Sequence, residues 1–182
     1  MKSANNQPET LSLSFEELVR SIRDIHGTLS AQAGKAVNVC LTLRNWLTGC
    51  YLAEYELRGA DRAGYGERLV PALVERLTET GLSGCTQRQL YQYLRFYRIY
   101  PGIVRSVTAQ FQHLVPQRLV RAGDKARSAT AISGIEPQQI LQQLSYTHIE
   151  QLLSIDDETK RAFYEFECIR GNWSVRELKR QI

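Results

Sequence analysis

The sequence predicts a mainly α-helical fold that contains a helix-turn-helix and ends in a small C-terminal helical part. Three observations support this prediction. Apolar residues recur at intervals of three and four along most of the chain. Serine and threonine residues stand where helix N-caps are needed. A glycine-containing turn at residues 81–84 separates two helical patterns. The chain has 182 residues, of which 43% are hydrophobic, so it can bury a substantial core.

The first two helices are predicted between residues 14 and 57, after a disordered tail over residues 1–13. Ser14 and Glu17 have the spacing of a capping box. The apolar stripe that follows consists of Leu18, Ile22, Ile25 and Leu29. After Gly34 a second apolar pattern begins, with Val37, Leu41, Trp46, Leu52 and Leu57. We therefore expect one helix before Gly34 and a longer one after it.

A third and a fourth helix are predicted on either side of the glycine turn. The third begins between residues 63 and 68, because Pro71 is tolerated in a first helical turn. Its expected buried face consists of Leu69, Leu73, Val74 and Leu77. Thr86 is the expected N-cap of the fourth helix, and Pro101 with Gly102 should end it. Two helices joined by such a turn form a helix-turn-helix.

The fourth helix divides into an apolar face and a basic one at 100° per residue. The expected core face consists of Leu90, Tyr93, Leu94, Phe96 and Tyr97. The opposite side carries Gln87, Arg88, Tyr91, Gln92, Arg95 and Arg98. Arginine can bridge phosphates or pair with guanine, glutamine can pair with adenine, and tyrosine can stack on a base. A solvated helix surface is the alternative interpretation.

Residues after the fourth helix carry a weaker signal until residue 136. The apolar residues between 103 and 120 fit neither the helical nor the strand period, so a short strand pair, an irregular arm and a helix all stay open. Small and polar residues follow, with the composition of a linker. We therefore expect a helical domain over residues 14–120, a linker over 121–135 and a C-terminal helical segment over 136–182.

The C-terminal segment shows clear helix starts. Pro137 suits a first helical turn, Ser145 is a candidate cap, and Ser174 with Glu177 forms a second capping box. His148 lies among apolar residues and is interpreted as a packing or capping residue. Four residues of the penultimate helix are expected to pack inward: Phe163, Phe166, Cys168 and Ile169.

Positive charge is concentrated between residues 85 and 127, where eight basic residues face one acid and leave a net charge of +7. The remainder of the chain therefore carries −3, since the whole chain carries +4. This asymmetry is typical of a nucleic-acid-binding protein. The expected partner is double-stranded DNA, and the expected contacts are Arg88, Tyr91, Gln92, Arg95, Arg98, Arg105, Arg118 and Arg121. The alternative is an assembly module in which helices around Trp46 and Trp173 form a homodimer or dock a protein partner.

Catalytic and metal-binding patterns are weak. The four cysteines form no C-x-x-C pair and are expected to be reduced thiols. Glu54 and Glu56 point to different helix faces, which favours a solvated helix end over a metal site. We expect no catalytic residue, metal or cofactor. The chain has neither a signal-peptide pattern nor a long apolar run, so a cytoplasmic protein without membrane contact is expected.

Three blocks of the sequence resemble a known family. They are "VNVCLTLRNWLTGCYLAEYELRGADRAGYGERLVPALVERL", "LSGCTQRQLYQYLRFYRIYP" and "LSYTHIEQLLSIDDETKRAFYEFECIRGNWSVRELKRQI". They closely resemble the N-terminal domain of YhcG-type proteins over about residues 14–182. In that family the domain precedes a C-terminal PD-(D/E)xK nuclease domain.

The resemblance implies a winged-helix-like DNA-binding module of a bacterial nuclease with a role in restriction or DNA defence. Residues 136–182 would then lead toward the nuclease domain. Such a domain needs clustered acids that hold a divalent cation, and the sequence "IDDETK" has the residue types but lies at a helix start. We expect that this chain alone does not cut DNA.

Overall fold

In the computed structural model the chain is mainly helical, as the sequence predicts. The structure describes residues 15–58, 68–81, 85–116 and 134–182, and these ranges contain no strand. The α-helices are α1 (Phe15–Arg58), α2 (Leu69–Glu79), α3 (Gln87–Ile99), α4 (Pro137–Gln143), α5 (Tyr146–Leu153), α6 (Glu158–Arg170) and α7 (Val175–Gln181). Two 3₁₀ helices follow α3, at Pro101–Ser106 and Ala109–Leu114. The predicted tail and most of the predicted linker lie outside the described residues.

The contacts divide the chain into two units, residues 1–36 and 37–182. The described part of the first unit belongs to α1, which continues through Gly34 into the second. The prediction of two helices separated near Gly34 was wrong. A glycine inside a helix costs only about 0.5–1 kcal/mol relative to alanine, and no proline accompanies it here. The predicted cap at Ser14 lies outside the described residues.

Trp46 of α1 is at the centre of the larger apolar cluster in the second unit. Its side chain is fully buried, and its indole Nε1 donates a hydrogen bond of 2.9 Å to the carbonyl of Tyr100. The same ring meets Tyr97 edge-on at 5.4 Å between centroids. This bond ties α1 to the end of α3. Trp46 itself is therefore a core residue, and an interface formed by the surface of the helix around it stays a prediction.

A smaller apolar cluster joins α1, α2 and α3. Its buried members are Leu52, Ala53, Val70, Leu90, Tyr93 and Leu94. Of the predicted inner face of α2, Leu73 and Val74 pack against this cluster as partly buried residues, whereas Val70 is the fully buried one. Helix α2 ends at a turn in which Gly81 has a φ of +79°, a conformation that glycine adopts without steric cost. Helices α2 and α3 pack against each other after this turn.

The segment after α3 is built of tight 3₁₀ turns. Pro101 begins the first of them, so the predicted stop of α3 is confirmed. The described residues between 103 and 116 form 3₁₀ helices and short extended links, which explains why neither sequence period fitted them. The first 3₁₀ helix packs against α4 through buried residues such as Ile103.

The predicted helix starts in the C-terminal part are confirmed. Ser145 is the N-cap of α5, and Ser174 accepts from the backbone N–H of Glu177 at 3.3 Å while Glu177 accepts from the Ser174 N–H at 2.7 Å. Helix α7 is short, and it docks on α5 through the fully buried Leu178. Docking supplies the stability that an isolated helix of this length would lack.

His148 takes part in the capping box at the N-terminus of α5, so its interpretation as a capping residue is confirmed. Its Nδ1 accepts from the Ser145 backbone N–H at 3.2 Å, and its Nε2 donates to the carbonyl of Trp173 at 3.0 Å. Burial lowers the pKa of His148, although the bond to the Trp173 carbonyl opposes this effect. The neutral imidazole therefore connects the start of α5 to the segment before α7.

The inward face of α6 matches the prediction at Cys168, which is buried, and at Ile169, which packs partly buried against the core, but it differs at the two phenylalanines. Phe163 and Phe166 are exposed, whereas the buried residues are Arg161, Ala162, Glu165 and Cys168. The two buried charges have partners: Arg161 donates to the carbonyl of Ile155 at 2.9 Å, and Glu165 accepts from the Tyr100 hydroxyl at 2.9 Å. Because these polar contacts fix which side of α6 faces inward, the two phenylalanines are turned to the surface. Hydrophobicity alone favours phenylalanine over arginine and glutamate for the core, so these polar contacts are not visible in the apolar pattern.

All four cysteines are free thiols in the structure. Cys50 and Cys168 are buried, Cys85 is partly exposed, and Cys40 is exposed. In the described ranges, none of the helices is both long and apolar enough to cross a bilayer. The same ranges bring no three metal-ligating side chains together.

Candidate nucleic-acid interface

Helix α3 begins at a well-formed capping box. The Thr86 hydroxyl accepts from the backbone N–H of Gln89 at 3.3 Å, and the Gln89 side chain accepts from the Thr86 backbone N–H at 2.9 Å. Two of the donors that every helix start leaves free are thereby satisfied. The predicted N-cap at Thr86 is confirmed, and the first turn of α3 is held in one conformation.

The inner face of α3 is the predicted one. Leu90, Tyr93, Leu94 and Phe96 are buried, and Tyr97 packs against both clusters from a partly buried position. The Tyr93 ring meets Tyr146 of α5 edge-on at 5.6 Å. Burial also raises the pKa of Tyr93 above its ordinary value. Helix α3 is thus fixed between α1, α2 and α5.

Gly49 sets the distance between α1 and α3. A Cβ atom at this position would lie 1.8 Å from the carbonyl oxygen of Tyr93. The two backbones therefore touch where the helices cross, and only glycine allows this. The contact fixes how far α3 stands out from the core, and with it the position of the outer face.

The outer face of α3 carries most of the predicted contact residues. Arg88, Tyr91 and Arg95 are exposed at the i, i+3, i+7 spacing of a single face, and Gln92 is partly buried beside them. Tyr91 is 46% exposed, which is high for an aromatic residue in a helix that anchors a core. The structure therefore brings these four predicted residues together on one rigid surface, which we call the α3 outer face.

Two arginines of α3 form ion pairs with acids from distant parts of the chain. Arg95 Nη2 lies 2.6 Å from Asp156 Oδ1, in the segment before α6. Arg98 Nη2 lies 2.6 Å from Glu56 Oε2 in α1. Sequence reasoning missed both acids and treated Glu56 as part of a solvated helix end. The only signal for them was the net charge of −3 outside the basic segment, which gives a sign but no position.

The remaining predicted contacts are farther along the chain. Arg105 is exposed on the first 3₁₀ helix. Arg118 and Arg121 lie outside the described residues and stay predictions. The α3 outer face therefore offers guanidinium groups, a phenol and an amide on one helix. This combination can bind phosphate oxygens and base edges, and it suits a nucleic acid better than a small apolar ligand.

Comparison with known proteins assigns the family. The sequence profile described as the DUF1016 N-terminal domain matches residues 21–182, which is most of the chain. The chain belongs to this family. A relative of this DUF1016 N-terminal domain is the protein named "Putative nuclease YhcG" from Escherichia coli (strain K12), which is 25% identical over 179 residues. The family resemblance given by the sequence is confirmed.

The alignment with that relative covers 96% of this chain but 46% of the relative. The DUF1016 N-terminal domain described here therefore spans less than half the length of the curated protein that it matches. No solved structure matches the chain. The similarity supports a nuclease-associated module that corresponds to the N-terminal part of such a protein.

Proposed function

We propose that this chain is the DNA-binding module of a YhcG-like nuclease and that α3 is its recognition helix. The observation that carries the proposal is the α3 outer face, where Arg88, Tyr91 and Arg95 are exposed on a helix whose other side is locked into the core. In this proposal α2, the Gly81 turn and α3 act as a helix-turn-helix, in the manner of a winged helix. The relative's name, which includes the word nuclease, is consistent with a DNA partner.

Each contact has a distinct role in the proposal. Arg88 and Tyr91 approach the bases from the first two turns of α3, where recognition helices usually contact base edges. Gln92 is partly buried beside Tyr91, and in the proposal its side-chain amide adds a further contact to the DNA bases. Arg98 and Arg105 contact phosphates at the side of the groove, and so do the predicted residues Arg118 and Arg121. Phosphate contacts give affinity, whereas base contacts give preference for a sequence.

Replacing Arg88 by alanine is expected to weaken DNA binding about tenfold, which corresponds to roughly 1.4 kcal/mol. The reason is that Arg88 is exposed at the start of the recognition helix, from which its guanidinium can reach the nucleic acid. The measurement is a fluorescence anisotropy titration with a labelled duplex at several salt concentrations. If Arg88 contacts a phosphate, the slope of log affinity against log salt should also fall by about one.

Arg76→Ala is the matched control for this experiment. Arg76 lies on α2, is highly exposed, and pairs with its neighbour Glu79 at 2.9 Å. The substitution removes the same charge from a position off the α3 outer face. Equal losses for Arg76→Ala and Arg88→Ala would show that only net charge matters, and they would remove α3 from the mechanism.

Self-association is the second candidate function, and an apolar groove favours it. The groove has a volume of about 410 Å³ and lies between α1 and the second 3₁₀ helix. Its lining consists of Cys40, Leu43, Arg44, Leu47, Thr48, Tyr51, Phe111 and Leu114. Val37 and Leu41 are exposed on the same side of α1, between about one and two and a half turns before the centre of the groove. One surface thus carries both exposed apolar side chains and an apolar groove. A two-fold interface uses the same patch on both subunits, so the side chains of one copy could fill the groove of the other.

Leu41→Glu is expected to convert a dimer formed through this surface into a monomer, because a charge would be buried against the partner's apolar groove. The control is Leu57→Glu on the opposite side of α1. Leu57 is 61% exposed and Leu41 is 41% exposed, so both substitutions place a glutamate on the surface of the free protein. The measurement is the molar mass by light scattering across a concentration series. A monomeric wild-type chain at every concentration would exclude this candidate and leave DNA binding untouched.

A further inference from the structure

Arg95 forms an ion pair with a carboxylate side chain of its own chain. Its guanidinium lies on the α3 outer face, and Asp156 reaches it from the segment between α5 and α6 with an Nη2–Oδ1 distance of 2.6 Å. The two residues are 61 positions apart, so the contact is made by the tertiary fold. A carboxylate oxygen accepts from the same guanidinium N–H groups that a phosphate oxygen would use. Asp156 therefore engages a donor that a phosphate bound at this guanidinium could also use.

The ion pair between Arg95 and Asp156 is exposed to solvent and can separate at little cost. The Asp156 side chain is 90% exposed and that of Arg95 is 44% exposed. Water surrounds the carboxylate on most sides, and an ion pair in that environment contributes little to stability. Asp156 can therefore leave Arg95 without exposing core residues or breaking a helix. The neighbouring acid Asp157 has a different task, because it caps α6 by accepting from the backbone N–H of Lys160 at 2.8 Å.

We propose that Asp156 is a built-in competitor for DNA: it holds the Nη2 group of Arg95 in the free protein, and a phosphate must displace it to use that donor. This inference rests on the proposed function and specifies how the same site is regulated. The carboxylate weakens binding in two ways. It occupies the guanidinium directly, and its charge repels the DNA backbone within the range of about 10 Å that salt leaves unscreened. Asp156 thus sets the affinity of the α3 outer face.

The second ion pair of α3 does not compete in the same way. Glu56 pairs with Arg98 at 2.6 Å, but the Glu56 side chain is only 33% exposed and lies on α1, which forms the core. Its carboxylate cannot swing away as readily. Arg98 is also one turn farther toward the end of α3 than Arg95. Glu56 therefore orients Arg98, whereas Asp156 is the residue that can be displaced.

Asp156→Asn tests the proposal, with Glu158→Gln as its control. Both substitutions exchange a carboxylate for an amide of the same shape and remove one negative charge. Glu158 is exposed two residues later and does not pair with Arg95. In anisotropy titrations with a labelled duplex at about 50 mM salt, Asp156→Asn should bind about threefold more tightly than Glu158→Gln. Circular dichroism of each variant confirms that the helices are intact.

A cycle with Arg95→Ala completes the experiment. In the Arg95→Ala background the advantage of Asp156→Asn over Glu158→Gln should shrink, because Asp156 then has no guanidinium to hold and only its charge repulsion remains. Equal binding by the two single variants would overturn the proposal, and so would weaker binding by Asp156→Asn, since Asp156 would then orient Arg95 for its ligand. A wild-type chain that does not bind DNA at all would remove the proposed function together with this inference. Wild-type binding that depends on Arg88 but not on Asp156 would remove this inference alone.

Discussion

Gly49→Ala should destabilise the protein by at least about 3 kcal/mol, which is at the upper end of the cost of overpacking a core. The added Cβ would lie 1.8 Å from the carbonyl oxygen and 2.3 Å from the carbonyl carbon of Tyr93. Both atoms belong to the backbone, so no side-chain rotation can relieve the clash. Helices α1 and α3 must move apart, and the clusters around Trp46 and Leu90 must open. The measurement is urea unfolding followed by circular dichroism.

Gly34→Ala is the control for this prediction, because it makes the same substitution in the same helix. A Cβ at Gly34 meets nothing within 4 Å. Alanine loses less conformational entropy than glycine on entering a helix, so this variant should be more stable by about 0.5–1 kcal/mol. Opposite signs for the two glycines would establish the close crossing. A Gly49→Ala variant as stable as the wild type would mean that α1 and α3 do not touch at Tyr93.

Glu165→Leu is expected to cost about 3 kcal/mol, since it leaves buried polar groups without a partner. The Glu165 carboxylate is 3% exposed and accepts from the Tyr100 hydroxyl at 2.9 Å. Arg161 is 7% exposed and lies one helical turn earlier on the same face of α6, so a buried cation would lose a nearby opposite charge. Burial and the adjacent Glu165 raise the pKa of Tyr100 well above its ordinary value, so its hydroxyl remains a donor in need of an acceptor.

A double-mutant cycle isolates the bond between Tyr100 and Glu165. Tyr100→Phe removes the donor, and Glu165→Leu should cost less in that background because fewer buried groups are then orphaned. Glu167→Leu on the same helix is the control for side-chain shape; its carboxylate lies 4.0 Å from Arg170, and we expect a change below about 1 kcal/mol. Strict additivity of Tyr100→Phe and Glu165→Leu in urea unfolding would show that the two residues are not coupled.

Helix starts were the part of the fold that the sequence predicted best. Thr86 with Gln89 and Ser174 with Glu177 act within four residues, so their chemistry is visible in a short stretch of sequence. The inner face of α3 was equally accessible, because the spacing of apolar residues determines it. It was harder to predict from the sequence whether a glycine inside a helical pattern ends the helix. Gly34 and Gly49 both occur inside helical patterns, and only the tertiary structure shows that neither ends the helix and that the second touches another backbone.

The candidate site could be predicted only in part for a related reason. The sequence identifies which residues share the α3 outer face, since they lie within two turns of one helix. It does not identify the acids that meet them, because Asp156 is 61 positions from Arg95 and Glu56 is 42 positions from Arg98. Charge partners across such distances depend on how the helices pack. The same holds for α6, where contacts to Tyr100 and Ile155 decide which side is buried and leave Phe163 exposed.

The four thiols are buried to different extents, and each proposed surface has one accessible cysteine that can be labelled. Burial, with Glu54 nearby, raises the pKa of Cys50 to about 12, and burial with Glu177 nearby raises the pKa of Cys168 to about 11. Both stay protonated and shielded at neutral pH, so a thiol-reactive dye should leave them unmodified in the folded chain. Cys40 lines the apolar groove, and Cys85 immediately precedes the cap of α3. Retaining only one of these two cysteines would place a fluorophore beside either the proposed self-association surface or the proposed recognition helix without disturbing the core.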